Sequence, residues 1–195
     1  MSGKPTLIII LSGKRKSGKD YVTELIEKRY ENKLAVIHIS KPIKQKYAEL
    51  HGAAFDELMK ASQYKEQFRL DMVKWSENEK SNRNDEAYFL KLAINMENAN
   101  EKKVWLIADA RRPADLAHFD EQQFNQSKVI KIRIQATEET RKSRGWIFTK
   151  NIDDATTECG LDCYTDWDYV FDNDGTSDQL IEKLNVIFTQ IESAL

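Results

Sequence analysis

Short apolar runs alternate along the chain with longer stretches in which apolar residues recur every three or four positions. Thr6–Ser12 (TLIIILS) is continuous and rich in β-branched residues, which predicts a strand buried on both faces. Leu34–Ser40 (LAVIHIS) and Lys103–Ala108 (KVWLIA) repeat that pattern. Lys128–Ala136 (KVIKIRIQA) alternates apolar and polar residues, so it predicts a fourth strand nearer a sheet edge, and Tyr169–Phe171 a short fifth. Between them, Tyr21, Val22, Leu25 and Ile26 give helical spacing from Ser17 to about Tyr30. Pro42 suits the first turn of a helix running to Gly52. From Phe55 to Asn98 the text is helical, with Tyr64, Phe68, Met72 and Trp75 on one apolar stripe. The polar run Ser76–Asp85 predicts an interruption there. Thr137 can cap a helix carrying Glu138, Glu139, Arg141 and Arg144. Trp146–Thr165 has no clear period and predicts a mobile loop or lid, and Gln179–Leu195 a closing amphipathic helix.

Strands alternating with helices imply an α/β fold: a parallel five-stranded sheet with right-handed crossovers and helices on both faces, three layers in all. At 195 residues this is the size of one domain. In such sheets the ligand site lies beyond the carboxyl ends of the strands. The segments to inspect are then Gly13–Asp20, Ser40–Lys44, Asp109–Arg112, Gln135–Arg144 and Asp172–Gly175.

The first of these carries the strongest chemistry. Gly13-Lys14-Arg15-Lys16-Ser17-Gly18-Lys19 reads G-x-x-x-x-G-K between a buried strand and a helix. Glycines let the backbone wrap a phosphate chain, successive N–H groups and the helix N-terminus supply positive field, and Lys19 reaches the β- and γ-phosphates of a nucleotide. The eighth position is Asp20, where a Ser or Thr usually binds Mg²⁺. A carboxylate is itself a good ligand for a hard cation. Asp20 therefore reads as a ligand of Mg²⁺ or its water, with a plain first-turn acid complementing the helix dipole as the alternative. Asp109, at the end of an apolar strand, matches the second carboxylate that holds Mg²⁺ in phosphate-loop enzymes.

Charge sharpens the picture. The net charge is only −2, which argues against a general nucleic-acid binder. The balance is uneven, however: residues 151–182 hold ten Asp or Glu and no Lys or Arg, leaving +8 on the rest. Arg111 and Arg112 sit side by side at the sheet edge, where they would repel each other without an anion. Lys65 and Arg69 share one helix face, a ready clamp for phosphate or a solvated face. Arg133, Arg141 and Arg144 precede the lid, where arginines commonly neutralise a transferring phosphoryl group. Asn173-Asp174-Gly175 would border the base or ribose. The acidic stretch Asp153–Asp162 would close over Mg²⁺ or brace the lid against basic residues, or else stand as a solvated loop.

So many cations imply a second anionic substrate beside ATP. A phosphate acceptor, with its second pKa of about 6, is ionised at pH 7 and needs no general base. The sequence accordingly offers no Ser-His-Asp set and no His cluster; His38, His51 and His118 are scattered singles. Cys159 and Cys163 are too few for a disulfide framework and read as reduced cytosolic thiols. No apolar run approaches the ~20 residues of a membrane span. Ser193-Ala194-Leu195 only faintly resembles a peroxisomal signal, so the cytoplasm is the expected compartment. Small-molecule substrates, no nucleic acid, no membrane and a monomer are the partner expectations.

The segments GKRKSGKDYVTE, SQYKEQFRLDMVKW, VWLIADARR and RGWIFTKNIDDATTECGLD together resemble animal-type phosphomevalonate kinase, a likeness extending from Leu11 to about Gly175. The resemblance implies ATP- and Mg²⁺-dependent conversion of 5-phosphomevalonate to 5-diphosphomevalonate in the mevalonate pathway. It also implies a fold like the nucleoside monophosphate kinases, with an acceptor-binding helical region over about 42–100 and a lid over about 141–165. On matching positions, Lys19 and Arg15 would stabilise the transferring phosphoryl group, and Asp20 is Asp in the family too. Lys65, Arg69, Arg111 and Arg112 would hold phosphomevalonate, Arg141 and Arg144 would act from the lid side, and Asn173 would lie near the ligands. Two departures stand out: Ser76–Asp85 is longer here, and Lys150-Asn151 replaces a Pro-Gly. The competing readings are a nucleoside monophosphate kinase of the same fold and a non-catalytic nucleotide-binding regulator.

Overall fold

The computed structural model describes residues 4–60 and 62–195. Five parallel strands form the sheet: β1 (Leu7–Ser12), β2 (Ala35–Ile37), β3 (Val104–Ala110), β4 (Lys128–Gln135) and β5 (Tyr169–Asp172), in the order β2-β3-β1-β4-β5. β1 is central, pairing Ile9 with Leu106 on one side and Ile130 on the other. Successive strand residues point to opposite faces, so a strand between two helical layers must be apolar throughout. Every residue of β1 and β3 is buried.

Leu7, Ile9 and Leu11 join one core cluster with α1 (Lys19–Arg29) and the amphipathic α9 (Ser177–Ala194). Ile8 and Ile10 face the other way, onto α5 (Tyr88–Met96). Each such side chain contributes about 1.5–3 kcal/mol by leaving water. A third, smaller cluster joins α2 (Ser40–His51), α3 (Phe55–Met59) and α4 (Gln63–Arg83) through Tyr47, Leu58 and Met72, with Tyr64, Phe68 and Trp75 packed against it. The apolar stripe of α4 thus builds a separate helical wall beside the carboxyl edge of the sheet.

Several boundaries differ from the sequence expectation. The helical text from Phe55 to Asn98 is divided into α3, α4 and α5, and residue 61 lies outside the described residues. The run Ser76–Asp85 does not interrupt α4, which continues unbroken to Arg83 and ends at Asn84 in a left-handed conformation (φ 51°). Its polar second half stays helical because Lys80, buried, is flanked by Glu77 at 3.0 Å and Glu86 at 3.3 Å. β2 stops at Ile37 and α2 starts at Ser40, ahead of Pro42. The aperiodic stretch after α7 (Glu138–Ser143) is packed: Trp146, Ile152 and Leu161 are buried, and one short helix, α8 (Thr156–Cys159), forms within it. Among the described residues no helix is long and apolar enough to cross a membrane.

Candidate active site

The loop between β1 and α1 is shaped for close approach. Lys16 (φ 62°) and Gly18 (φ 98°) are left-handed, a conformation that Gly adopts without strain. A Cβ on Gly18 would lie 2.0 Å from Asn173 Nδ2, and one on Gly13 2.6 Å from Ser17 Oγ and 2.7 Å from the Ile134 carbonyl. Both positions therefore require glycine. Ser17 Oγ is buried without a partner among the described residues, an orphaned donor inside the loop. Lys19 is buried, with Nζ 2.5 Å from Asp20 Oδ1. The surrounding protein works against charge on Asp20, but the Lys19 ammonium beside it, helped by Arg111, holds its carboxyl below the usual range.

Beside the loop, a cleft runs between the end of β3 and the wall of α2 and α4. Lys44, Lys65, Arg69, Arg111 and Arg112 line it, over a floor of Ile43, Met72 and Val73. Asp115, buried at the start of α6 (Pro113–Ala117), accepts the N–H groups of Arg111 (2.9 Å) and Arg112 (3.0 Å), which fixes the turn presenting both arginines. Glu66 takes Arg69 in a two-pronged pair at 2.8 and 2.7 Å. Glu77 takes Arg112 and shares its charge with Lys80.

Lys44 is depressed by burial and by the charges of Arg111 and Arg69, and Lys65 by burial, Lys44 and Arg69, falling to about 8. An anion entering the cleft favours the protonated form. Below pH 8 Lys65 is already charged in the free enzyme, whereas above it binding must take up a proton. The KM for an anionic acceptor is therefore expected to rise above pH 8, approaching about tenfold per unit, while kcat at saturating acceptor stays flat. A pH series from 7 to 10 with Lys65→Arg alongside checks this; an identical KM rise in the variant contradicts it.

The third component is the acidic segment. Asp162 pairs with Lys14 at 2.6 Å and Arg133 at 2.9 Å, Asp153 pairs with Arg15 at 2.9 Å, and Glu158 accepts from both the Arg15 backbone N–H and the Arg111 guanidinium. Asp153 also takes Trp146 Nε1 and the Thr149 N–H. These carboxylates fold back onto the basic sheet edge, so the segment is braced against arginine and lysine and is no solvated loop.

A strand, a glycine-framed loop and an opposed cationic cleft fit a phosphotransferase, and sequence relationships decide which. The sequence profile described as phosphomevalonate kinase matches residues 11–126. A Drosophila melanogaster protein named phosphomevalonate kinase is 35% identical over 187 residues, covering 95% of this chain and 96% of its own. The chain belongs to the phosphomevalonate kinase family. The fold is also that of TT1252 from Thermus thermophilus, whose crystal structure matches with a TM-score of 0.52 at 14% identity, over 96% of this chain and 98% of that one.

Within this family member, several residues picked from the sequence turn toward the protein itself. Asn173 does not line the cationic cleft: it is buried behind the loop, and its Nδ2 donates to the Ser17 carbonyl at 2.9 Å. Arg144 donates to the carbonyls of Ser17 (3.1 Å) and Asn173 (2.6 Å), and Arg141 to that of Arg15 (2.8 Å) while stacking on Trp146. Loop carbonyls that point away from a phosphate need donors, and these three residues supply them. Asp174 accepts from the N–H and hydroxyl of Thr137, at 2.8 and 2.9 Å, and so anchors the start of α7. Asp109 accepts the N–H groups of Ile39 (2.6 Å) and Ser40 (3.1 Å) at the start of α2. Burial raises its pKa, but His38, Lys19 and the Ser40 side chain hold the carboxyl below the usual range. Lys44 closes the segment Ser40–Lys44 marked by the sheet topology, but it was not singled out because a lone lysine in an amphipathic helix carries no further local signal.

Proposed function

We propose that the protein transfers the γ-phosphoryl group of ATP to the phosphate of 5-phosphomevalonate, forming 5-diphosphomevalonate and ADP. The observation that carries this reading is the junction of two cation-lined subsites, one framed by the loop Gly13–Lys19 and one by Lys44, Lys65, Arg69, Arg111 and Arg112. Arg111 belongs to both, since its charge bears on Asp20 and Asp109 on the loop side and on Lys44 and Lys65 on the cleft side.

In this reading the backbone of Gly13–Gly18 wraps the ATP phosphates and the orphaned Ser17 hydroxyl meets a phosphate oxygen. Lys19 and Arg15 stabilise the charge on the moving group. An acceptor phosphate oxygen forms the new bond to the γ-phosphorus as the bond to the β,γ-bridging oxygen breaks. The transfer needs no protein base, in keeping with a cleft rich in cations and with no histidine among its described lining residues. Lys65 and Arg69 hold one anionic end of the acceptor, and Arg112 the other. Asp20 and Asp109 suit Mg²⁺, which usually takes only one or two carboxylates besides phosphates and water; Asp109, already accepting two N–H bonds, would act through water. When bound, that ion would neutralise phosphate charge. The two free thiols fit a cytosolic enzyme.

Coupled ADP release tests the assignment. Turnover is expected with ATP, Mg²⁺ and 5-phosphomevalonate and is not expected with mevalonate, AMP or GMP. Turnover with a nucleoside monophosphate in place of 5-phosphomevalonate would keep the phosphate loop and overturn the acceptor.

A further inference from the structure

Glu158 is a carboxylate that the transfer chemistry above does not use, yet its side chain is only 2% exposed. It takes donors from two sides: the backbone N–H of Arg15 in the phosphate loop through Oε1, and Arg111 at the end of β3 through Oε2. The neighbouring Thr157 carbonyl also accepts from Arg111, at 3.3 Å. Both bonds use the same guanidinium nitrogen, Nη1. Nε and Nη2 bond to no other described residue, so one edge of the fork is fixed and the other remains available to an anion. Gly160 permits the approach: a Cβ there would lie 2.8 Å from the Arg111 carbonyl and 2.6 Å from that of Thr156.

We propose that Glu158 is the positioning residue that holds Arg111 between the two substrates and registers it against the phosphate loop. A long arginine side chain otherwise samples many rotamers, and bringing two anions together depends on placing the charge that joins them. Because one carboxylate bonds to Arg15 of the loop and Arg111 of the cleft, seating of the acidic segment and assembly of the transfer site are a single event. The inference rests on the role given to Arg111 above.

The test is a mutant cycle on the full chain with ATP, Mg²⁺ and 5-phosphomevalonate. Glu158→Gln keeps the shape and removes the charge. It is expected to lower kcat about 10- to 100-fold, with the KM for ATP changed by less than about threefold. Combined with Arg111→Gln, it should add almost nothing to the loss from Arg111→Gln alone, because a positioning residue without its client has nothing left to position. Glu158→Asp, charged but shorter, runs through the same cycle in case the Gln variant is poorly folded. A fully multiplicative loss in the double variant overturns the proposal. So does a lower melting temperature with unchanged kcat, which marks a purely structural carboxylate. A lower KM for ATP with undiminished kcat overturns it too, since Glu158 would then be a stand-in anion that the nucleotide displaces. Every ratio is taken against the wild type with whichever acceptor it turns over, so failure of the acceptor assignment leaves this comparison intact.

Discussion

Arg111→Gln is expected to lower kcat about a thousandfold or more, the range over which a phosphoryl-stabilising arginine acts, while ATP binding changes little. The charge of Arg111 reaches Asp20 and Asp109 on the loop side and both cleft lysines. Its loss removes the bridge between two anions without removing either binding site. Glutamine retains an N–H donor for the buried Glu158, so the fold should survive; an alanine would leave that carboxylate with one partner fewer and at greater cost. With the Arg111 charge gone, Lys65 is less strongly depressed, and the alkaline rise in acceptor KM should move to higher pH. Steady-state kinetics on both substrates check the prediction. A kcat loss below about tenfold would remove Arg111 from the transfer step.

Lys19→Met should be comparably severe for kcat, by about a hundred- to a thousandfold or more, the loss expected when a preorganised charge at the reacting group is removed. The effect on stability should be opposite to the usual intuition. Lys19 is buried, while the side chain of its partner Asp20 is 89% exposed, so the protein packed around that carboxyl disfavours its charge only in part. Replacing the buried ammonium by an apolar side chain of similar length leaves behind a carboxylate that water can solvate. The melting temperature is therefore expected to hold or rise as activity collapses. Asp20 also loses the principal charge that holds its pKa down. A thermal melt alongside the kinetics separates this from unfolding; a melting drop of ten degrees or more would mean that Lys19 is chiefly a structural residue.

The sheet was readable from the chain because each strand is a local pattern: five runs of apolar residues sit where β1 to β5 form. The phosphate loop was readable for the same reason, since glycine spacing and the flanking strand and helix are contiguous. Arg111 and Arg112 followed from the rule that ligands meet the carboxyl edge of a parallel sheet, and Lys65 and Arg69 from one helix face. What could not be read were partners distant in sequence. Glu158 meets Arg15 across 143 positions, and only the segregation of acid into residues 151–182 hinted that the segment had somewhere basic to go. Asn173, Arg141 and Arg144 stand at the sheet edge as their chemistry suggested, but that each also donates to a backbone carbonyl of the loop was invisible until the loop's shape was known. The run after Ser76 misled because helical continuity there depends on Lys80 being buried between two glutamates rather than on apolar spacing.

The pairing of Lys14, Arg15, Arg111 and Arg133 with Asp153, Glu158 and Asp162 also bears on how substrates arrive. Cations already matched by carboxylates a few ångströms away project little field into bulk solvent, where a Debye length near 8 Å at physiological salt erases most of what remains. Around the phosphate loop the outward field is therefore expected to be weak, and Lys44 and Lys65 of the cleft, which have no carboxylate partner among the described residues, carry much of what remains. Anions are then expected to be met at short range, with the Glu158–Arg111 pair kept in place, and a long polyanion is expected to gain less here than along an open basic groove.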